Sequence, residues 1–166
     1  NDRISVNHAL YGLSIIKDLP LLKGLDQEDL QVLKFAIANH NAINIDESGN
    51  EREVFFAKII RDADKLDIYR VLEPLIMPDD GSEYSPIFVQ GFLKGEQCDF
   101  AHMKTTADRK LVRLLWMYNI NFSWTMQKLI ERKYADEIIK KLPNNEITKK
   151  GEAVLSGYMT KKAKGF

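Results

Sequence analysis

The stretch Ala57-Lys58-Ile59-Ile60-Arg61-Asp62-Ala63-Asp64-Lys65-Leu66-Asp67 sets a carboxylate within an apolar helix face. At helical period, Ala57, Ile60, Asp64, Asp67 or Ile68, and Val71 fall on one stripe. Phe55, Lys58, Asp62, Lys65 and Tyr69 fall on the opposite side. An ionised carboxylate on a packing face is costly unless a metal ion, a cation or a set of hydrogen bonds compensates it. Asp64 is the residue to explain.

Working outward, two histidines repeat the pattern. A helix over 26–40 puts Leu30, Leu33, Ile37 and His40 on one stripe, and a helix over 5–17 does the same for Ile4, His8, Tyr11 and Ile15. Both histidines then project from apolar faces toward whatever those faces cover. Imidazole and carboxylate are the ligands that suit zinc, iron, manganese or nickel. A lone histidine on such a face is ordinarily a satisfied core residue. Three ligand-type side chains from three successive helices point instead to a convergent cluster.

The run over 60–67 resembles the last metal-binding motif of the HD-domain phosphohydrolase superfamily, an alanine-aspartate pair followed by a basic residue and leucine in a central helix. The resemblance covers residues 1–75 and implies an HD-like bundle. It also implies a divalent metal (Mn, Fe, Zn, Ni, Co or Mg) with Asp64 as a ligand. His8, in Asn7-His8-Ala9, and His40, in Asn39-His40-Asn41, resemble the two histidines that some branches add to bind a second metal or the substrate phosphate. The opening 1–8 is similar to the segment after the histidine-aspartate helix in one branch. The family's first histidine and its defining histidine-aspartate pair should precede His8, yet no His-Asp dipeptide occurs in the sequence. The expectation is that this chain is the carboxy-terminal part of a longer polypeptide. The other reading is a relative that has lost the pair and its activity.

What the resemblance implies chemically is hydrolysis of a phosphate ester, the metal acting as a Lewis acid and activating a water. His8, His40 and Asp64 would be catalytic ligands. Asp67, one turn beyond Asp64, would orient a ligand or water, and Arg61 and Lys65 are candidate phosphate contacts. The substrate is a nucleotide or another small phosphorylated metabolite. The competing function, from another class, is a catalytically silent helical module that binds a protein or nucleotide without turnover.

Composition suits a cytoplasmic domain. Hydrophobic residues make up 45% and charged residues 29%, enough apolar surface for a core. A net charge of zero argues against a general nucleic-acid binder, which needs a basic field to release counterions. The single cysteine, Cys98, excludes a disulfide framework within the chain. No apolar run approaches a membrane span. There is no glycine-rich phosphate loop, no nucleophile elbow and no internal repeat. Oligomeric state is not legible.

Helix signals run the length of the chain, so the expected class is all-α, an HD-domain-like bundle over 1–76 with a helical extension over 77–166. Ser5 and Asp26 are N-cap candidates, and Glu28 and Asp29 favour the start of the second helix. The turn-rich 77–85 segment separates the two parts. Residues 86–100 are ambiguous between a short strand at Ile87-Phe88-Val89 and a helix entered through Ser85-Pro86. Thr105 with Asp108 three residues on resembles a capping box with a shorter acid. Trp116, Tyr118, Phe122 and Trp124 are expected in the core, with a base-stacking wall as the lesser reading. A last helix over 146–162 is expected to be interrupted at Gly151 and Gly157. Cys98 and His102 make a possible metal corner, but one pair without a second is poor evidence for zinc.

Overall fold

The computed structural model describes residues 7–16, 19–72 and 75–166. Among them are eight α-helices and no strand, so the chain is all-α. In chain order the helices are α1 (His8–Ile16), α2 (Gln27–Asn39), α3 (Glu51–Leu72), α4 (Pro86–Lys94), α5 (Thr106–Leu115), α6 (Ser123–Glu131), α7 (Tyr134–Ile139) and α8 (Glu146–Ala163). No helix among the described residues is long and apolar enough to cross a membrane. Contacts divide the chain into two compact units, Asn1–Asp64 and Lys65–Phe166.

In the first unit α1 packs on α2 around small side chains, with Ala9, Val32, Ala36 and Ala57 buried. Ser5, expected to cap the first helix, lies outside the described residues. Asn7 does the capping: its Oδ1 accepts from the Ala9 N–H at 2.9 Å. Asp26 caps α2 as expected, accepting from the Asp29 N–H at 2.7 Å. The start of α3 carries a reciprocal pair. The Asn50 N–H donates to Glu53 Oε2 at 2.8 Å, and the Glu53 N–H donates to Asn50 Oδ1 at 3.0 Å.

The inner positions of α3 differ from the expected stripe. Glu53, Ala57, Arg61, Asp62 and Tyr69 are buried, whereas Val71 is 47% exposed. Glu53 and Arg61 find backbone partners, which lets polar side chains occupy positions that hydrophobic periodicity assigns to the surface.

The core of the second unit is built from Phe88 and Phe92 of α4, Leu114 of α5, Met126 and Leu129 of α6, Ile138 of α7, and Leu155 of α8. Tyr69 and Ile76 belong to it as well, so the residues just after Asp64 pack with the second unit. The Tyr69 hydroxyl donates to the Arg113 carbonyl at 2.6 Å, and its ring stacks on Tyr134. Residues 86–94 are a helix, not a strand: Pro86 occupies its first turn, where a missing N–H costs nothing. It ends at Gly95, whose φ of 74° permits the left-handed turn there. Ser85 precedes that helix without capping it, because both its N–H and its hydroxyl donate to Asp108.

Asp108 is fully buried and accepts from Ser85, Lys104 and Thr105. It completes the Thr105 capping box while tying the preceding loop to α5. Lys110, 2% exposed, donates to the Pro78 carbonyl at 3.1 Å and holds the same loop further back. Helix α8 runs unbroken through Gly151 and Gly157. Gly151 is where α8 meets the Phe92 ring of α4. Trp124, expected in the core, is 59% exposed with Lys128 Nζ 5.9 Å from its ring. Trp116, Tyr118 and Phe122 are half-buried.

Candidate metal centre

Helices α1 and α2 bring His8 and His40 together. Their Nε2 atoms stand 2.9 Å apart and the rings meet edge to face. His8 opens α1 and His40 closes α2, so the packing of the two helices sets this distance. Two asparagines reinforce it. Asn7 Oδ1, already capping α1, also accepts from Asn41 Nδ2 at 2.9 Å, which ties the residue before His8 to the residue after His40. Asn39, buried at the end of α2, donates from Nδ2 to the Phe35 carbonyl and accepts the Asp46 N–H on Oδ1. That pair of bonds shapes the loop leaving His40.

His40 Nδ1 lies 2.7 Å from the Ile37 carbonyl. A carbonyl only accepts, so Nδ1 carries a proton, and in the neutral ring Nε2 then presents a lone pair. Ligand histidines are oriented in this way, one nitrogen anchored to the protein and the other free for the metal. In the pair, His8 supplies the Nε2–H and His40 accepts it. Two nitrogens on one ion at about 2.0–2.1 Å are separated by about 2.9–3.4 Å for angles between 90° and 109°. The observed 2.9 Å falls at the short end of that range. The spacing therefore suits a divalent ion, and the donor chemistry does once the His8 proton moves from Nε2 to Nδ1, so that both Nε2 lone pairs face the ion. His8 is exposed and His40 half-buried, so the pair opens toward solvent and not into the core expected for it.

Four of the remaining candidates, Arg61, Asp64, Lys65 and Asp67, sit on α3 in different surroundings. Asp64 is half-buried on α3, and among the described residues no group of three or more His, Cys, Asp or Glu side chains is arranged to hold a metal. Asp67 is exposed and takes the Arg70 guanidinium on Oδ1 at 2.7 and 3.0 Å. Lys65 places Nζ 4.8 Å from the centre of the Trp116 ring. Arg61 is 2% exposed and donates from Nη2 to the Ile43 carbonyl at 2.5 Å. Burial pushes its guanidinium below the ordinary value, opposed by the Asp62 and Asp64 carboxylates. Asp62, placed on the outer side by the sequence stripe, is 2% exposed. The Cys98 thiol donates to the Ile87 carbonyl at 3.3 Å, and His102 is exposed.

The asparagines around the histidine pair escaped the sequence reading. Asn50 with Glu53 three residues on, just before an apolar run, carries a capping signature that could have been found. Asn7, Asn39 and Asn41 carry no such signal beyond lying beside the two histidines. No family model matches the chain, and neither does any curated protein or solved structure.

Proposed function

We propose that the first unit contributes His8, His40 and Asp64 to the divalent-metal site of an HD-type phosphohydrolase. The substrate on this reading is a nucleotide or another small phosphate ester. The observation that carries it is the 2.9 Å approach of the two Nε2 atoms, with His40 anchored through Nδ1 to a backbone carbonyl. When bound, a divalent ion supplies Lewis-acid polarisation of a phosphoryl oxygen and an acidified water. The chain's own part is to hold the two imidazoles at fixed separation and the His40 ring in one tautomer. The Asn7–Asn41 bond keeps the ends of α1 and α2 in register, and the Ile37 carbonyl keeps the His40 proton on Nδ1. Protonated imidazole is no ligand, so metal uptake strengthens as pH rises.

The test is elemental mass spectrometry on protein made from its complete coding sequence, purified without chelator or metal-affinity resin. About one or two equivalents of a transition metal, with turnover in a phosphate-ester screen, is the expected result. No metal even after reconstitution would overturn the hydrolase and leave a helical module that binds without turnover.

A further inference from the structure

Arg61 is the most unusual buried group in the described residues of the first unit. At 2% exposure it keeps one hydrogen bond, from Nη2 to the Ile43 carbonyl. Its Nε and Nη1 atoms are buried and have no hydrogen-bond partner among the described residues. Those nitrogens carry one and two N–H donors respectively, all of them permanently on a cation. A buried donor left unmade loses its hydration for nothing, and a charged one loses more. Asp62 and Asp64 offset the charge through space, yet neither bonds those two nitrogens.

The carbonyl that holds the guanidinium lies near His40 along the chain. Ile43, whose carbonyl holds the guanidinium, is three residues past His40 in a turn that the Ala42 N–H closes onto the Asn39 carbonyl. A ligand that satisfies Nε and Nη1 together needs several acceptor oxygens and negative charge. A neutral carbonyl offers one oxygen and no charge. A phosphoryl group offers several oxygens and at least one charge, and guanidinium matches it in geometry as well as in sign.

We infer that Arg61 is the oxyanion-recognition residue of the first unit, taking the phosphoryl group of the ligand on Nε and Nη1. The inference rests on the phosphohydrolase reading and names the chemistry of its substrate. Its central claim, that an oxyanion completes Arg61, holds whether or not a metal binds.

The probe is inorganic phosphate added to the full-length protein, read at the Arg61 Nε–H resonance in a ¹⁵N-correlated spectrum. Arg61→Lys provides the assignment. Phosphate should shift that resonance saturably, and equal ionic strength of chloride should leave it in place. Arg61→Lys and Arg61→Met should weaken phosphate binding by about ten- to hundredfold, the range for losing charge-assisted hydrogen bonds. A resonance that phosphate does not move overturns the proposal, even if Arg61→Met fails to fold. So does a folded Arg61→Met that binds phosphate as tightly as the parent. His40→Ala separates the two readings. Wild-type protein without metal, in which phosphate still moves the Arg61 resonance, defeats the metal site alone. Metal retained by the wild type and lost in His40→Ala, with an Arg61 resonance indifferent to phosphate, defeats the oxyanion role alone.

Discussion

Gly151 of α8 lies so close to Phe92 of α4 that a Cβ built on it would stand 2.2 Å from two ring carbons. Phe92 is fully buried at the heart of the second unit, so its ring has nowhere to retreat. Gly151→Ala should therefore destabilise by about 1–3 kcal/mol, the range for overpacking a filled core. Gly157, two turns along the same helix, has nothing within 4 Å of the equivalent position. Gly157→Ala should stabilise by roughly 0.5–1 kcal/mol through helix propensity alone. Thermal melts of the two variants should move in opposite directions.

Asp108 gives the second unit an acid-sensitive fastening. Burial opposes its ionisation, but the Ser85, Lys104 and Thr105 donors outweigh burial and hold its carboxyl below the usual carboxylate range. The folded value therefore lies below the unfolded one of about 3.9. The contribution is fully present above that pH and lost as pH falls through the folded value. Asp108→Asn should cost about 2–4 kcal/mol at neutral pH, because it replaces an acceptor-only carboxylate with an amide whose NH2 is turned toward N–H donors. Its stability should also change less than the parent's between pH 4 and pH 2. Urea titrations across that range are the measurement, and parallel curves would discount this account.

Lys133 is the one described non-glycine residue with positive φ, at 56°. It joins α6 to α7 in the left-handed region, where a Cβ crowds the following carbonyl. Lys133→Gly should relieve about 1 kcal/mol of that strain, less some cost in unfolded-state entropy. A higher denaturant midpoint with an unchanged m-value is expected.

His40→Ala and His8→Ala test the candidate centre from both sides. Each should reduce metal content to near background while leaving the far-UV circular dichroism helical. Asn41→Ala should weaken metal affinity more mildly, about tenfold, since it loosens the Asn7 tie without removing a ligand. Equal affinity in the asparagine variant would mean that the packing of α1 on α2 holds the pair unaided.

Much of the helical framework is legible because caps are local. Asp26 announces α2, and Thr105 with Asp108 announces α5, each through side chains within three residues of the helix start. The inner face of α3 is less so. Hydrophobic periodicity cannot see that Ile43 offers a carbonyl to Arg61, or that Asn50 and Glu53 satisfy each other. Burial of Arg61 and Asp62 depends on those distant or reciprocal partners. Trp124 failed for the converse reason: its size suggested a core residue, yet α6 buries Thr125, Met126 and Leu129 instead. At the candidate centre, the stripes through His8, His40 and Asp64 led to an expected cluster of three, of which His8 and His40 stand in contact. They did not foretell that the pair would sit toward solvent, since stripe membership does not say how far a helix end projects.

Lys110 has a consequence in time as well as in space. Its amine is sealed at 2% exposure against the Pro78 carbonyl, with the Asp79 carboxylate 3.8 Å away. An acylating reagent that captures exposed lysines at once must wait at Lys110 until the 78–85 loop lifts or the second unit unfolds. When reclosing outpaces capture, the rate of adduct formation at that one amine reports the fraction of molecules open at any moment. Lys110 is in effect a clock carried by the native chain, readable by mass spectrometry without a label or a mutation.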